Sequence, residues 1–101
     1  MSAKEEINQS ILLELKKPSM FSVTFHNDDY TTMEFVVLVL MKIYHKSECE
    51  ANKIMITVHN DGKSVVDVYT YDIAITKKMQ TQQLASEKGY PLKVTVEEVL
   101  I

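Results

Sequence analysis

A chain of 101 residues with 46% hydrophobic and 25% charged content suits one globular domain and lacks the bias of disordered or collagen-like chains. Eleven basic against fourteen acidic residues give a net charge of −3, which argues against nucleic acid as a partner because phosphates are normally met by clustered Lys and Arg. The longest apolar stretch, residues 35–41, falls well short of the roughly 20 residues that cross a bilayer, which argues against a membrane partner.

The cellular compartment is predicted from the cysteine count and the first residues. The single Cys49 has no second cysteine for an internal disulfide. The first six residues lack the basic segment and apolar run of a secretory signal. We therefore expect a soluble protein of the cytoplasm.

The first 17 residues differ from the rest of the chain. Four aliphatic side chains recur there at near-helical spacing among Lys and Glu, and Pro18 would end any helix. We predict a flexible N-terminal arm over residues 1–17 and a single core domain over residues 18–101.

The first strand is predicted over residues 19–26, where aromatic and β-branched residues are frequent. The turn formers Asn27, Asp28 and Asp29 follow it. We therefore expect the strand to end at an exposed, acidic turn.

A helix is predicted next, from about residue 32 to residue 45. Thr31 and Glu34 have the spacing of a capping box, in which a hydroxyl and a carboxylate satisfy opposite backbone amides at a helix start. The apolar run over residues 35–41 has strand propensity, but the cap and the total length favour a helix.

The second helix has the clearest signals in the sequence. Ser47 and Glu50 repeat the capping-box spacing. The helix should end near His59, because residues 60–62 (Asn-Asp-Gly) tolerate left-handed backbone angles. Its apolar residues recur at i, i+3, i+4 and i+7, at Ala51, Ile54, Met55 and Val58.

The last three elements follow from the same reasoning. Residues 64–70 read as a strand, residues 72–88 as an amphipathic helix that ends at Gly89, and residues 92–99 as a third strand. The order is β-α-α-β-α-β. We predict an α+β single domain in which a three-stranded antiparallel sheet packs against three helices.

The residue pattern gives little support to catalysis, a metal or a cofactor. Asp28 and Asp29 are adjacent, so on an extended segment they point to opposite sides, which is poor geometry for a shared proton. The histidines and Cys49 lack metal-ligand spacing, and two glycines are too few for a phosphate-binding loop. Cys49 lies in the first turn of a predicted helix, a position that favours the thiolate form of a cysteine. A thiol nucleophile therefore stays as an alternative, although no motif supports it.

One constellation of motifs resembles the ClpS family of protease adaptors. That family has a β-α-α-β-α-β core and delivers proteins with a destabilising N-terminal residue, an N-degron, to an AAA+ unfoldase of the ClpA or ClpC type. The resemblance covers about residues 17–97. It is carried by residues 27–36 (Asn-Asp-Asp-Tyr-Thr-Thr-Met-Glu-Phe-Val) and by the pairs Val58-His59, Gly62-Lys63, Thr76-Lys77 and Pro91-Leu92.

The resemblance implies that Asn27, Asp28 and His59 bind the α-amino group of the substrate. An ammonium group has three donors and a charge, so its burial requires several acceptors and preferably one carboxylate. Asp28 would supply the charge, and Asn27 and neutral His59 the further acceptors. Protonation of His59 would then weaken binding at acid pH. Without the resemblance, the same residues are interpreted as ordinary turn residues and a helix end.

The resemblance also implies a hydrophobic pocket for an N-terminal Leu, Phe, Tyr or Trp. Met33 would be the gate of this pocket and disfavour β-branched first residues. The implied lining residues are Thr31, Met33, Val36, Val39, Met55, Val58 and Leu92.

A second implied surface contacts the N-terminal domain of the unfoldase through Tyr30, Asp72 and Lys77. The alternative function is a docking module that binds an unfoldase or a ribosomal partner and ignores N-terminal residues. The sequence departs from the family pattern at Thr32, where Pro is usual, and at His26, where an apolar residue is common.

Overall fold

The helices and strands follow the predicted order in the computed structural model, which describes residues 19–100. The predicted arm, residues 1–17, lies outside the described residues. The α+β class and the order β-α-α-β-α-β are confirmed. The elements are β1 (Met20–His26), α1 (Met33–Lys42), α2 (Glu48–Asp61), β2 (Lys63–Thr70), α3 (Tyr71–Lys88) and β3 (Lys93–Glu98).

The sheet has β1 at its centre, in the order β2-β1-β3, and both pairings are antiparallel. His26, the last residue of β1, lies opposite Lys63 on one side and Lys93 on the other. Because β2 begins directly after α2, this register brings the end of β1 next to the end of α2. Residues more than thirty positions apart therefore meet at this end of the sheet, where β1 stops and β2 starts.

The core lies between one face of the sheet and the helices. Val23 and Phe25 point from β1 into this core and are fully buried. The Phe25 ring packs edge-on against Tyr44, with 5.4 Å between ring centroids. Burying side chains of this size contributes roughly 1.5–3 kcal/mol each. Further fully buried apolar residues are Val39, Leu40, Ala51, Ala74 and Val94.

The start of α1 corrects the prediction, because Thr32 and not Thr31 is the N-cap. The Thr32 Oγ1 accepts a hydrogen bond from the Phe35 N–H at 3.2 Å. The Thr31 hydroxyl instead donates to Asp28, 2.7 Å away. The reason is local competition: Asp28 engages Thr31 in the preceding turn, so the helix begins one residue later, and Thr32 replaces the usual Pro without loss of a cap.

The end of α1 also differs, at Lys42 where residue 45 was predicted. The Lys46 N–H donates to the Leu40 carbonyl oxygen at 3.0 Å, and His45 between them has a left-handed φ of 56°. The left-handed position after a helix is normally occupied by Gly. No glycine is present here, so the sequence contains no signal for this helix end.

The second helix follows its sequence signals closely. The Ser47 Oγ accepts from the Glu50 N–H at 3.2 Å, and the Glu50 carboxylate accepts from the Ser47 N–H at 3.5 Å, which confirms the capping box. The helix continues to Asp61, two residues past the predicted end, and Gly62 closes it with a φ of 88°. No helix within residues 19–100 combines the length and the hydropathy needed to cross a membrane.

Candidate functional site

A cavity of about 480 Å³ lies where the turn after β1, the start of α1 and the end of α2 meet. We call it the first cavity. Its volume is within the range of small-ligand pockets, roughly 300–1,000 Å³. Its lining brings together the three predicted amino-group residues with five of the predicted pocket residues: Asn27, Asp28, His59, Thr31, Met33, Val36, Met55 and Val58.

The polar side of the first cavity is organised by Asp28. Its Oδ1 accepts hydrogen bonds from the N–H groups of Tyr30 at 2.8 Å and Thr31 at 2.6 Å, and its Oδ2 accepts from the Thr31 hydroxyl at 2.7 Å. Burial raises the pKa of Asp28, but the bonds from Thr31 and Tyr30 outweigh it and hold the pKa below its usual value. Asp28 is therefore ionised at neutral pH and already fixes the turn.

Backbone pairing fixes Asn27 relative to His59. The Asn27 N–H donates to the Gly62 carbonyl oxygen at 2.8 Å, so the end of β1 is tied to the end of α2. His59 lies in the last turn of α2, three residues before Gly62. Both side chains are exposed on the same cavity, and each offers a hydrogen-bond acceptor to a ligand.

The apolar side of the first cavity comes from α1 and α2. Val36 and Val58 are only 6% and 4% exposed and form its wall, with Met55 partly buried beside them. Met33 is 45% exposed on the lining, in the first turn of α1. One side of the cavity therefore accepts an apolar group while the other accepts hydrogen-bond donors.

Two predicted pocket residues do not line the first cavity. Val39 is fully buried in the core, one turn of α1 beyond Val36. Leu92 is 6% exposed and borders a separate, shallow depression that also includes Gly89 and Tyr90. Their pocket roles, which the resemblance implies, stay predictions; in the described structure both side chains pack in the core.

The sequence prediction omitted two acidic residues of the lining, Asp29 and Glu34. Both side chains are exposed, and no hydrogen bond joins either carboxylate to another described residue. In the sequence, Asp29 was considered only as a turn residue and as half of an acid pair with Asp28. A signal was available, because a turn that uses one carboxylate for its own backbone leaves the adjacent one for a ligand.

The three residues predicted to contact an unfoldase do not share one place. Tyr30 is 76% exposed and lines the first cavity. Asp72 and Lys77 line a second cavity of about 610 Å³ between α3 and the end of α1, together with Lys42, Ile43 and His45. Tyr30 therefore belongs by position to the first cavity.

Lys77 is not an ordinary solvated charge. Its Nζ donates to the Ile43 carbonyl oxygen at 2.6 Å, at the end of α1. The same Nζ lies 5.6 Å from the ring centroid of Tyr44 and 5.5 Å from that of Tyr69, within the range of cation–π attraction. Lys77 is thus partly buried and connects α3 to the end of α1.

Tyr44 and Thr81 extend this connection. The Thr81 hydroxyl donates to the Lys77 carbonyl oxygen at 2.7 Å. The Tyr44 hydroxyl lies 2.8 Å from the Thr81 Oγ1 and acts as the donor, because the one hydroxyl hydrogen of Thr81 is already used. Burial raises the pKa of Tyr44 to about 12, which keeps this donor protonated.

His26, next to Asn27, points to the outer face of the sheet and does not line the first cavity. Its Nε2 lies 2.8 Å from the Thr95 Oγ1. Burial, then the charges of Lys93 and Lys63, lower the pKa of His26, against a smaller opposite effect of Glu97. This departure from the family pattern therefore alters the outer face of the sheet.

The lowered pKa of His26 predicts a loss of stability at acid pH. The unfolded chain takes up a proton near the usual value of about 6.5, whereas the folded protein does so only at lower pH, so the free energy of unfolding falls as the pH is lowered through this window. Urea unfolding at about pH 7 and about pH 5 should show a smaller fall for His26→Gln than for the unmodified protein. An equal fall in both proteins would contradict the prediction.

The sequence also raised the possibilities of a thiol nucleophile and of a metal site. Cys49 is a free, exposed thiol in the first turn of α2. Residues 19–100 contain no group of three or more His, Cys, Asp or Glu side chains placed to hold a metal ion.

Comparison with known proteins places the chain in a family. The family described as "ATP-dependent Clp protease adaptor protein ClpS" matches residues 16–95. ClpS adapter proteins of Acetivibrio thermocellus and Clostridium acetobutylicum are 44% and 45% identical over 97 and 101 residues, covering 96% and 98% of this chain and 98% and 100% of those proteins. The structure of Agrobacterium tumefaciens ClpS2 bound to L-phenylalaninamide matches with a TM-score of 0.79 at 40% identity, over 82% of this chain and 100% of that one. This chain therefore belongs to the ClpS family of ATP-dependent Clp protease adaptors.

Proposed function

We propose that this protein is an adaptor that binds N-degron substrates, with N-terminal Leu, Phe, Tyr or Trp, and delivers them to an AAA+ Clp unfoldase. The observation that carries the proposal is the first cavity, where polar and apolar walls face the same space. A free amino terminus that bears a large apolar side chain has the matching pair of groups. The proposed role is binding in the cytoplasm, without catalysis, cofactor or metal.

The polar wall provides acceptors for an ammonium group. Asn27, Asp28 and His59 are proposed to hold it, since all three line the cavity. The Asp28 Oδ1 is already filled by two N–H groups, but the Oδ2 accepts only one hydrogen bond and has room for another. Asp29 on the same lining offers a second carboxylate that the turn does not use.

The apolar wall is proposed to supply the binding energy that the contacts to the ammonium group do not. Micromolar binding requires about 8 kcal/mol, whereas burying a Leu or Phe side chain contributes about 1.5–3 kcal/mol. Each hydrogen bond to a charged group adds about 1.5–3 kcal/mol. Side chain and ammonium must therefore both contribute, which favours substrates that carry both.

Delivery is proposed to use the second cavity as the docking site for the N-terminal domain of a ClpA-type or ClpC-type unfoldase. Support comes from the position of Asp72 and Lys77, which share this cavity and lie on α3, away from the residues of the first cavity. Two separate surfaces allow one protein to hold a substrate and an unfoldase at the same time. The arm over residues 1–17 is proposed to engage the unfoldase as well.

Fluorescence anisotropy with labelled peptides tests the proposal. A peptide that begins with Phe should bind, and the same peptide with an acetylated amino group should not, because acetylation removes the charge and two donors. A panel varied only at the first residue should favour Leu, Phe, Tyr and Trp over Val and Ile. Equal affinity for the free and acetylated peptides would refute the proposal, and binding of neither would favour the docking module that ignores N-terminal residues.

A further inference from the structure

The ionisable groups of the first cavity are predominantly acidic. Asp28, Asp29 and Glu34 line it, and among its described lining residues only His59 is able to carry a positive charge. This excess of negative charge suits an ammonium group. It exceeds the single positive charge of an ammonium group, so it also affects any negative charge that the ligand brings with it.

Several hydrogen-bond donors of the same wall are already used within the protein. The N–H groups of Tyr30 and Thr31 and the Thr31 hydroxyl are all directed to Asp28. At the start of α1, where a helix would attract an anion, the Phe35 N–H is taken by Thr32 and the first turn carries the carboxylate of Glu34. An incoming carboxylate would therefore meet the negative charge of Asp28, Asp29 and Glu34.

A free amino acid differs from a protein amino terminus at one group close to the ammonium. Both carry the ammonium and the side chain, so neither of these distinguishes them. In a protein, however, the first carbonyl belongs to a neutral amide, whereas in a free amino acid it is a carboxylate. The Agrobacterium tumefaciens relative was solved with L-phenylalaninamide, in which this carboxyl is likewise neutral.

We propose that the acidic lining of the first cavity makes the protein reject free amino acids and accept only amino termini whose carboxyl group is neutralised. Asp29 and Glu34 are the specificity-determining residues, because they add negative charge without serving the turn. The inference rests on the proposed function and names its ligand class more narrowly. It explains how a cavity that binds a single N-terminal residue would avoid being occupied by the corresponding free amino acid.

Three small ligands test this inference by competition against a labelled peptide that begins with Phe. They are L-phenylalaninamide, L-phenylalanine methyl ester and free L-phenylalanine, which share the ammonium and the side chain. The amide and the ester should compete within a few-fold of each other, and the free acid should be weaker by about tenfold or more, because like charges are brought together. The ester is essential, since it lacks the amide N–H and yet is uncharged at the carboxyl group.

The outcomes separate the two proposals. If the amide and the acid compete equally, the charge-based rejection is wrong while the proposed function stands. If the ester competed as weakly as the acid, the charge-based rejection would also be wrong, because the protein would then recognise the amide N–H. If none of the three ligands competes and the labelled peptide itself does not bind, the proposed function fails and this inference fails with it.

Variants identify the residues responsible. Glu34→Gln should reduce the ratio of the dissociation constants of the acid and the amide by several-fold, and added salt should reduce it in the unmodified protein. Glu48→Gln is the matched control, because Glu48 is also an exposed glutamate in the first turn of a helix but does not line the first cavity. The same reduction in both variants would contradict a local role of Glu34.

Discussion

Replacing Asp29 by Ala should weaken the binding of a peptide with N-terminal Phe by about ten- to hundredfold, without a measurable change in the melting temperature. The factor is the loss expected for one hydrogen bond to a charged group, about 1.5–3 kcal/mol. Asp29 lines the first cavity and is exposed, and the described structure gives its carboxylate no other partner. Its removal therefore costs the protein nothing in folding.

Asp28→Ala is the informative comparison, because it removes the same charge from the adjacent position. Asp28 accepts three hydrogen bonds from the turn, so this variant should also lose about 1–3 kcal/mol of unfolding free energy. Urea unfolding separates the two variants, and anisotropy measures binding for each. If Asp29→Ala bound normally and Asp28→Ala did not, Asp28 alone would supply the charge, as the family resemblance implies.

The elements that the sequence predicted well have local signals. The second helix begins at a capping box and ends at a glycine, and both features depend on a few neighbouring residues. The first helix begins and ends for reasons that involve several competing groups. Thr31 and Thr32 both qualify as caps, and the choice depends on Asp28. The stop at residues 43–46 uses His45 in a conformation that sequence patterns assign to Gly.

The candidate site likewise combines features with local sequence signals and a contact that no local signal predicts. Turn residues and a helix end are visible in the sequence, but nothing local joins Asn27 to His59. Their proximity depends on the pairing of β1 with β2, where the Asn27 N–H meets the Gly62 carbonyl oxygen. Only the family resemblance connected them in advance. It also included Val39 and Leu92 in the pocket, which the structure places outside the lining of the first cavity.

Lys77→Met should destabilise the protein by about 1–3 kcal/mol, and this effect bears on how the proposed unfoldase contact is tested. The substitution keeps the long apolar stem but removes the hydrogen bond to Ile43 and the charge between the rings of Tyr44 and Tyr69. A loss of unfoldase binding in this variant would thus have two explanations, a lost contact or a displaced end of α1.

Asp72→Asn separates these explanations, because Asp72 shares the second cavity but is exposed in the first turn of α3. The substitution removes the favourable interaction of the Asp72 charge with the helix dipole, which should lower the unfolding free energy by only about 0.3–1 kcal/mol. If the second cavity is the docking site, both variants should weaken binding to the unfoldase N-terminal domain in calorimetry, while only Lys77→Met shows the larger fall in urea stability. A Lys77→Met protein as stable as the unmodified one would contradict the internal role of Lys77. Normal docking by both variants would place the unfoldase elsewhere on the surface.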